Sequence, residues 1–397
     1  MFRQIKEKRR IIRRLLAQVY LPVLDTIFLS VVKGNPSTVR SELLVVRLDG
    51  IGDFVLWLDA AKELRTLYPR EQYRITLLGN KLWTELAAEL PYFDEVWSLD
   101  KEKFEVNIAY RMKTLLNVRN AGFDTVIQPM FSREFLFGDT LVRASWARHK
   151  IGFQSDDSNI SSWQRRISDR WYTRLISASR EPLMELERNA EFIRGLGLPG
   201  FKAYGPTLQE LHHRLPKDFC LKDYYILFPG TGLDLKKWPL SRFKELAERL
   251  YNATGWTGVV CGGPGEYALG QTIKVQSRAP IENWAGRTSL RELIGIIENG
   301  RILIGNDTSA IHIAVAVSTT SVSIVGGGHF GRFFPYKVEE KGTTSLPEAV
   351  YHVMDCFNCN WRCIYPLTSD GIVKCIDLVS VDSVWQKIEG LLREQKR

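Results

Sequence analysis

Several common signatures are missing from this 397-residue chain. It has no G-x-x-x-x-G-K-[ST] segment, which removes the phosphate loop of the nucleoside triphosphatases. It has no D-x-D pair, the usual acidic clamp for a metal-bound sugar nucleotide. The one extended apolar stretch near the start is broken by Pro22 and Asp25. A membrane-spanning helix needs about 20 nearly continuous apolar residues, so no span is expected. No small-residue cleavage site follows the basic beginning, which speaks against a secretory signal. Long polar tracts and internal repeats are lacking too, so neither disorder nor a solenoid is indicated. Cysteines number six, and without a secretory signal they are expected as thiols in a reducing cytoplasm.

What is present is an ordinary globular composition, 45% hydrophobic and 25% charged, over a length that suits two domains. The net charge of +9 is unevenly placed. Residues 1–40 hold nine Lys and Arg against Glu7 and Asp25, a surplus of seven that leaves about +2 for the rest. The positive charge therefore belongs to a tail and does not predict a nucleic-acid partner. That tail reads as a basic amphipathic helix, with residues 1–33 facing an anionic membrane or capping the globular body.

From residue 43 short β-rich runs alternate with helical ones: "LLVVRL" then 54–68, "YRITLL" then 80–89, "DTVIQP" then 133–144. A less regular stretch runs to the helical "MELERNAEFIRGLGL". The rhythm restarts with "YYILFPG", "WTGVVCGG", "RILIGND" and "SVSIVGG". Alternation of this kind predicts βαβ units and two similar α/β halves, joined near 200–222. Ligands of open parallel sheets sit at the carboxyl ends of strands, so the loops after 48, 228, 261 and 305 become the candidates.

Each candidate loop has a plain reading beside a functional one. "GIGDFV" carries two glycines but has Val55 where a dinucleotide fingerprint needs Gly or Ala, and no ribose-binding acid ends the next strand. A nicotinamide enzyme is disfavoured. Asp53 there either caps a helix or does chemistry. "FPGTGLDLKKWPLSRF" offers Thr231, Lys236 and Lys237 in a small-residue loop, a possible anion cradle. "CGGPGEYALG" sets Glu266 beside a strand end. "RILIGNDTSAIHIAVAV" delivers Asn306, Asp307 and Thr308 to a helix start, with His312 soon after, although Asp307 or Thr308 could be a simple cap. "GGGHFGRFFPY" adds a glycine-rich loop with Arg332.

Taken in order, "LLVVRLDGIGDFVLWLDAAKELRTLYP", "ILFPGTGLDLKKWPLSRFKELAERL", "WAGRTSLRELIGIIENGRILIGNDTSAIHIAVAVSTTSVSIVGG" and "GRFFPY" resemble glycosyltransferase family 9, the lipopolysaccharide heptosyltransferases and their relatives. The resemblance spans about 43–336. It implies the α/β GT-B fold, two Rossmann-like domains facing a cleft: an acceptor domain over 41–205 and a nucleotide-sugar domain over 222–350. A basic segment over 1–40 would precede them, a cysteine cluster over 351–378 and a crossover helix over 379–397 would follow. It implies Asp53 as general base, and Thr231, Lys236, Glu266, Asp307, Thr308 and His312 as donor-binding. Asp49, where relatives often have Ser, and Ala310 depart from the pattern.

The chemistry implied is inverting transfer without a catalytic metal: heptose from ADP-heptose onto a lipopolysaccharide-type or other cell-surface glycan, at the inner face of the cytoplasmic membrane. A heptosyltransferase acting on protein hydroxyls and a non-catalytic sugar-nucleotide-binding scaffold are the alternatives. Separately, Cys356, Cys359, Cys363 and Cys375 fall within 20 residues in the pattern C-x2-C-x3-C-x11-C. In a reducing compartment that spacing suggests a structural zinc or iron site, with adjacent free thiols as the plain alternative.

Overall fold

The computed structural model describes residues 2–32, 41–208, 211, 214–338 and 345–394, with side chains from residue 17 onward. The chain forms two compact units. One holds residues 1–50, 60–178 and 188–201, the other residues 51–59, 179–187 and 202–397.

In the first unit six strands form a wholly parallel sheet: β1 (Glu42–Arg47), β2 (Arg74–Asn80), β3 (Glu95–Leu99), β4 (Thr125–Gln128), β5 (His149–Phe153) and β6 (Arg174–Ile176), in the order 3-2-1-4-5-6. The second unit repeats the arrangement with β7 (Tyr224–Phe228), β8 (Thr257–Val260), β9 (Ile281–Asn283), β10 (Ile302–Asn306), β11 (Ser321–Ile324) and β12 (Glu348–Val350), in the order 9-8-7-10-11-12. Each unit therefore has the doubly wound order, with its reversal between β1 and β4 or between β7 and β10. Every residue of β7 and β10 is buried, as a strand covered by helices on both faces must be.

The first helix, α1 (Phe2–Val31), belongs to the first unit. It buries Ala17, Leu21, Asp25 and Leu29 at four-residue spacing. Asp25 is no defect in this stripe. The Arg111 guanidinium grips both its oxygens, at 2.8 and 2.5 Å, and also donates to the Leu136 carbonyl. No helix among the described residues is long and apolar enough to cross a membrane. The second helix, α2 (Ile51–Leu67), begins in the second unit and ends in the first. The last helix, Val381–Glu394, implied above as a crossover, buries Val381, Val384 and Ile388 in the core of the second unit with Val322, Ile324 and Val350.

Candidate active site

In the second unit the strand order reverses between β7 and β10, and a crevice at the carboxyl ends of those strands is where an α/β sheet takes its ligand. Asn306, the last residue of β10, builds it. Its buried side chain accepts the Trp238 backbone N–H at 3.0 Å and donates to the Pro229 carbonyl at 2.8 Å. One amide thus holds both ends of the loop 229–238 against the neighbouring strand. Trp238 fixes the far end, fully buried, its indole N–H on the Val379 carbonyl at 2.8 Å.

Within that loop Lys236 points its ammonium toward Asp307, 3.8 Å away, and lies 4.5 Å over the ring of Trp361. The Trp361 indole donates to His329 Nδ1 at 3.3 Å, so His329 carries its proton on Nε2, which donates to the Asn360 side-chain oxygen at 2.6 Å. Thr231 spends its hydroxyl within the loop, on the Leu233 carbonyl at 2.5 Å.

Asp307 and Thr308 lead into the helix Ser309–Ala316. Thr308 occupies the N-cap position, yet its hydroxyl makes no cap bond and is buried without a hydrogen-bond partner. A buried hydroxyl in that condition costs free energy unless something supplies a partner. Burial pushes the Asp307 carboxyl above the usual range, against the pull of Lys236. His312, one turn into that helix, stacks on Phe334 with ring centroids 4.8 Å apart, and its Nδ1 lies 2.8 Å from the Tyr336 hydroxyl. Burial, with Lys236 adding to it, depresses its pKa to about 3, so the ring is neutral at physiological pH. Positive charge here comes from Lys236 and the helix N-terminus, and not from His312.

Glu266 sits at the end of β8, accepting the Gly263 N–H at 2.7 Å. Its carboxylate lies so close over Gly230 that any β-carbon there would overlap it, which brings the β7 and β8 loops together. Burial raises its pKa while the Gly263 bond and Lys237 oppose the rise.

Asp53 does not cap α2. Gly50 holds the N-cap position and Asp53 is the third helical residue, in the first turn where a carboxylate complements the helix dipole. The same turn packs on the helix Ser309–Ala316: a β-carbon at Gly52 would stand 3.1 Å from His312 Cδ2 and 3.4 Å from Ser309 Cα. Asp49, by contrast, pairs with the buried Arg47 at 2.8 Å. Arg332 pairs with Glu185 at 3.2 Å.

Residues 112–356 match the profile of glycosyltransferase family 9, the heptosyltransferases. This chain belongs to that family. A lipopolysaccharide heptosyltransferase 3 of Escherichia coli is 21% identical over 286 residues, covering 69% of this chain and 80% of the relative. In three dimensions the ADP-heptose lipopolysaccharide heptosyltransferase II of E. coli superposes with a TM-score of 0.65 at 16% identity, covering 90% of this chain and all of that one. The iron-containing dodecameric heptosyltransferase TibC, solved with ADP-D-β-D-heptose, superposes at 0.54 and 13% identity, covering 91% of this chain and 78% of that one. The architecture is GT-B, as those structures have it, and the chain is a glycosyltransferase of the heptosyltransferase family.

The four clustered cysteines of this family-9 chain lie in the second unit. Cys356, Cys359, Cys363 and Cys375 line one small cavity of about 10 Å³, closed by Trp361, Tyr365, Met354 and Val373. Among the described residues no group of three or more His, Cys, Asp or Glu stands in the geometry of a metal site. The donor set nevertheless suits a soft divalent ion. Burial first, then their neighbouring thiols, raise the pKa of Cys356 and Cys375, and a bound cation would relieve that crowding.

The sequence singles out Asn306 beside Asp307 and Thr308 but not its role in holding the loop 229–238, and sequence reasoning missed Trp361, His329, Tyr336 and Phe334. Of these only the "GRFFPY" loop carried a signal, through its position in the resemblance.

Proposed function

We propose that this family-9 glycosyltransferase takes ADP-heptose as donor and inverts at the anomeric centre. The observation carrying the reading is the crevice between β7 and β10, with Lys236, a partnerless buried hydroxyl on Thr308 and a helix N-terminus. A nucleoside diphosphate supplies what each lacks: negative charge for the ammonium and the helix N-terminus, acceptor oxygens for the hydroxyl. Thr231 and Glu266 border the same loops, and Glu266 offers a carboxylate to ribose hydroxyls. Asp307 steadies Lys236, and neutral His312 shapes the wall.

In the reaction the acceptor hydroxyl oxygen forms a bond to the anomeric carbon from the face opposite the diphosphate. Asp53 accepts the hydroxyl proton. The bond from the anomeric carbon to the diphosphate oxygen breaks, and its electron pair leaves with the nucleotide, where Lys236 and the helix N-terminus stabilise the new charge. No D-x-D pair exists to clamp a metal on the diphosphate, so these groups carry that role. The acceptor is a lipopolysaccharide-type or other surface glycan. The chain works in the cytoplasm against the inner membrane face, where its basic start meets anionic lipid. Asp53→Asn should keep donor affinity and lose roughly 10²- to 10⁴-fold in kcat for ADP release with acceptor present. Full kcat in that variant would remove Asp53 as the base.

Cys356, Cys359, Cys363 and Cys375 would hold a structural zinc or iron ion, whose charge would neutralise their thiolates and brace the loop. Elemental analysis of protein purified under reducing conditions should give about one metal atom per chain. A metal-free preparation of undiminished thermal stability would contradict this.

A further inference from the structure

One feature of the first unit is foreign to catalysis in the second. The helix α1 is apolar on two opposite sides. Ala17, Leu21 and Leu29 are buried against the body, yet Val19, Val23, Ile27 and Val31 are 57–75% exposed. The second stripe is displaced two residues from the first, about 200° around a helix of 3.6 residues per turn, so it faces directly away from the protein. Four branched apolar side chains in a row on the outer face of a soluble helix call for an apolar medium outside.

At the carboxyl end of this stripe lies a cleft of about 450 Å³, lined by Thr26, Ser30, Arg119, Arg143, Trp146 and Lys150 among others, with no acidic residue among the described residues of its wall. Arg119 is buried and holds the end of α1, donating to the Leu29 and Val32 carbonyls at 2.9 and 2.6 Å. Its guanidinium lies 4.6 Å over the ring of Trp146, a 54% exposed tryptophan in left-handed backbone (φ 58°). Arg143 reaches Thr26 at 2.9 Å. Burial lowers the pKa of Arg119 and Lys150, and each is lowered further by the next cation: Arg143 acts on Arg119, and Arg119 on Lys150. The wall of the cleft is thus positive, with Asp25, already paired with Arg111, drawing only on Arg143.

Its place in the fold separates the cleft from the transfer site. Lys150 stands at the start of β5 and Arg119 at the end of the helix Ile108–Asn120, so the cleft opens at the amino ends of the strands. Ligands of this sheet type occupy the carboxyl ends.

We infer that α1 lies in the plane of an anionic bilayer, its outer stripe in the acyl boundary, while Arg143 and Lys150 hold a lipid phosphate in the cleft beside Trp146. The parts match an interfacial helix: an apolar face, flanking cations and an amphipathic tryptophan at headgroup depth. Charge selects the occupant. A second copy of this chain would bring the same cations face to face, whereas an anionic surface answers all of them at once. This inference deepens the membrane placement proposed above and rests on it.

The test is co-sedimentation of the full chain with vesicles of phosphatidylcholine alone or mixed with phosphatidylglycerol. The parent should bind the anionic vesicles at least tenfold more tightly than the neutral ones. Ile27→Asp, and separately Arg143→Gln with Lys150→Gln, should each weaken that binding about tenfold or more, with the thermal midpoint and donor hydrolysis kept. A parent that binds neither vesicle overturns both the membrane placement and this inference. A parent that binds while the variants bind equally well overturns the docking face alone. Weakened self-association in Ile27→Asp, measured by sedimentation velocity, with vesicle binding unchanged would assign the stripe to a second copy instead.

Discussion

At the scale of single residues, the crevice proposed for the donor leaves specific polar groups without a full partner. Thr308 has its hydroxyl buried at an N-cap without capping, and Lys236 stands 3.8 Å from Asp307, too far for a full hydrogen bond. His312 does the opposite. It is held neutral, packed between Phe334 and Tyr336, and its pKa of about 3 lies below the unfolded value near 6.5. The sign follows from linkage: between those two values the unfolded chain binds a proton that the folded chain refuses. Stability should therefore fall as pH drops below about 6.5, by up to ~1.4 kcal/mol per pH unit from this residue. Urea midpoints at pH 7 and pH 5 measure the loss, and His312→Gln should flatten it. An unchanged slope in that variant would place the acid sensitivity elsewhere.

At the scale of elements, the first helix is fastened by an ion pair that the linear sequence could not disclose. Asp25 interrupts an apolar run and reads as a flaw in it, but its partner Arg111 lies 86 residues away. Both are buried, and the guanidinium also satisfies two carbonyls, Leu136 and Phe104. Removing one partner leaves a bare buried charge, so Asp25→Ala should lower the stability of the first unit by about 3–5 kcal/mol. The double change of Asp25→Leu with Arg111→Met should recover much of it, as read by denaturant unfolding. Equal losses in the single and double variants would deny the pair that role.

The same scale explains which strands were legible. β1, β7 and β10 lie inside their sheets, are buried on both faces and read as continuous apolar runs. β3, β6, β9 and β12 occupy the sheet edges, and three of them have only three residues. Partly exposed strands that short leave no run and no alternation long enough to read. In the site, Lys236, Glu266, Asp307 and Thr308 were visible because each follows a legible strand. Trp361, whose ring lies under Lys236, comes from the cysteine segment over 100 residues later, and Asn306, though visible beside Asp307 and Thr308, reaches Pro229 and Trp238 about 70 residues earlier in the chain. Contacts of that kind are made by tertiary packing and have no local signature.

At the scale of the whole molecule, one topological plan is used twice, and the proposed donor site lies where the second copy reverses its strand order. The cysteine segment joins this plan at several points, through the Asn358 and Asn360 N–H groups on the Gly327 and Gly328 carbonyls and through Trp361, which both closes the thiol cavity and lies under Lys236. A nucleoside diphosphate in the β7–β10 crevice is the central claim, and calorimetric titration of ADP into the full chain tests it most directly. ADP should bind the parent, bind Lys236→Ala at least about tenfold more weakly through loss of a charge-assisted contact, and bind Asp53→Asn as it binds the parent. ADP binding that is indifferent to Lys236, or absent from the parent, would contradict the account.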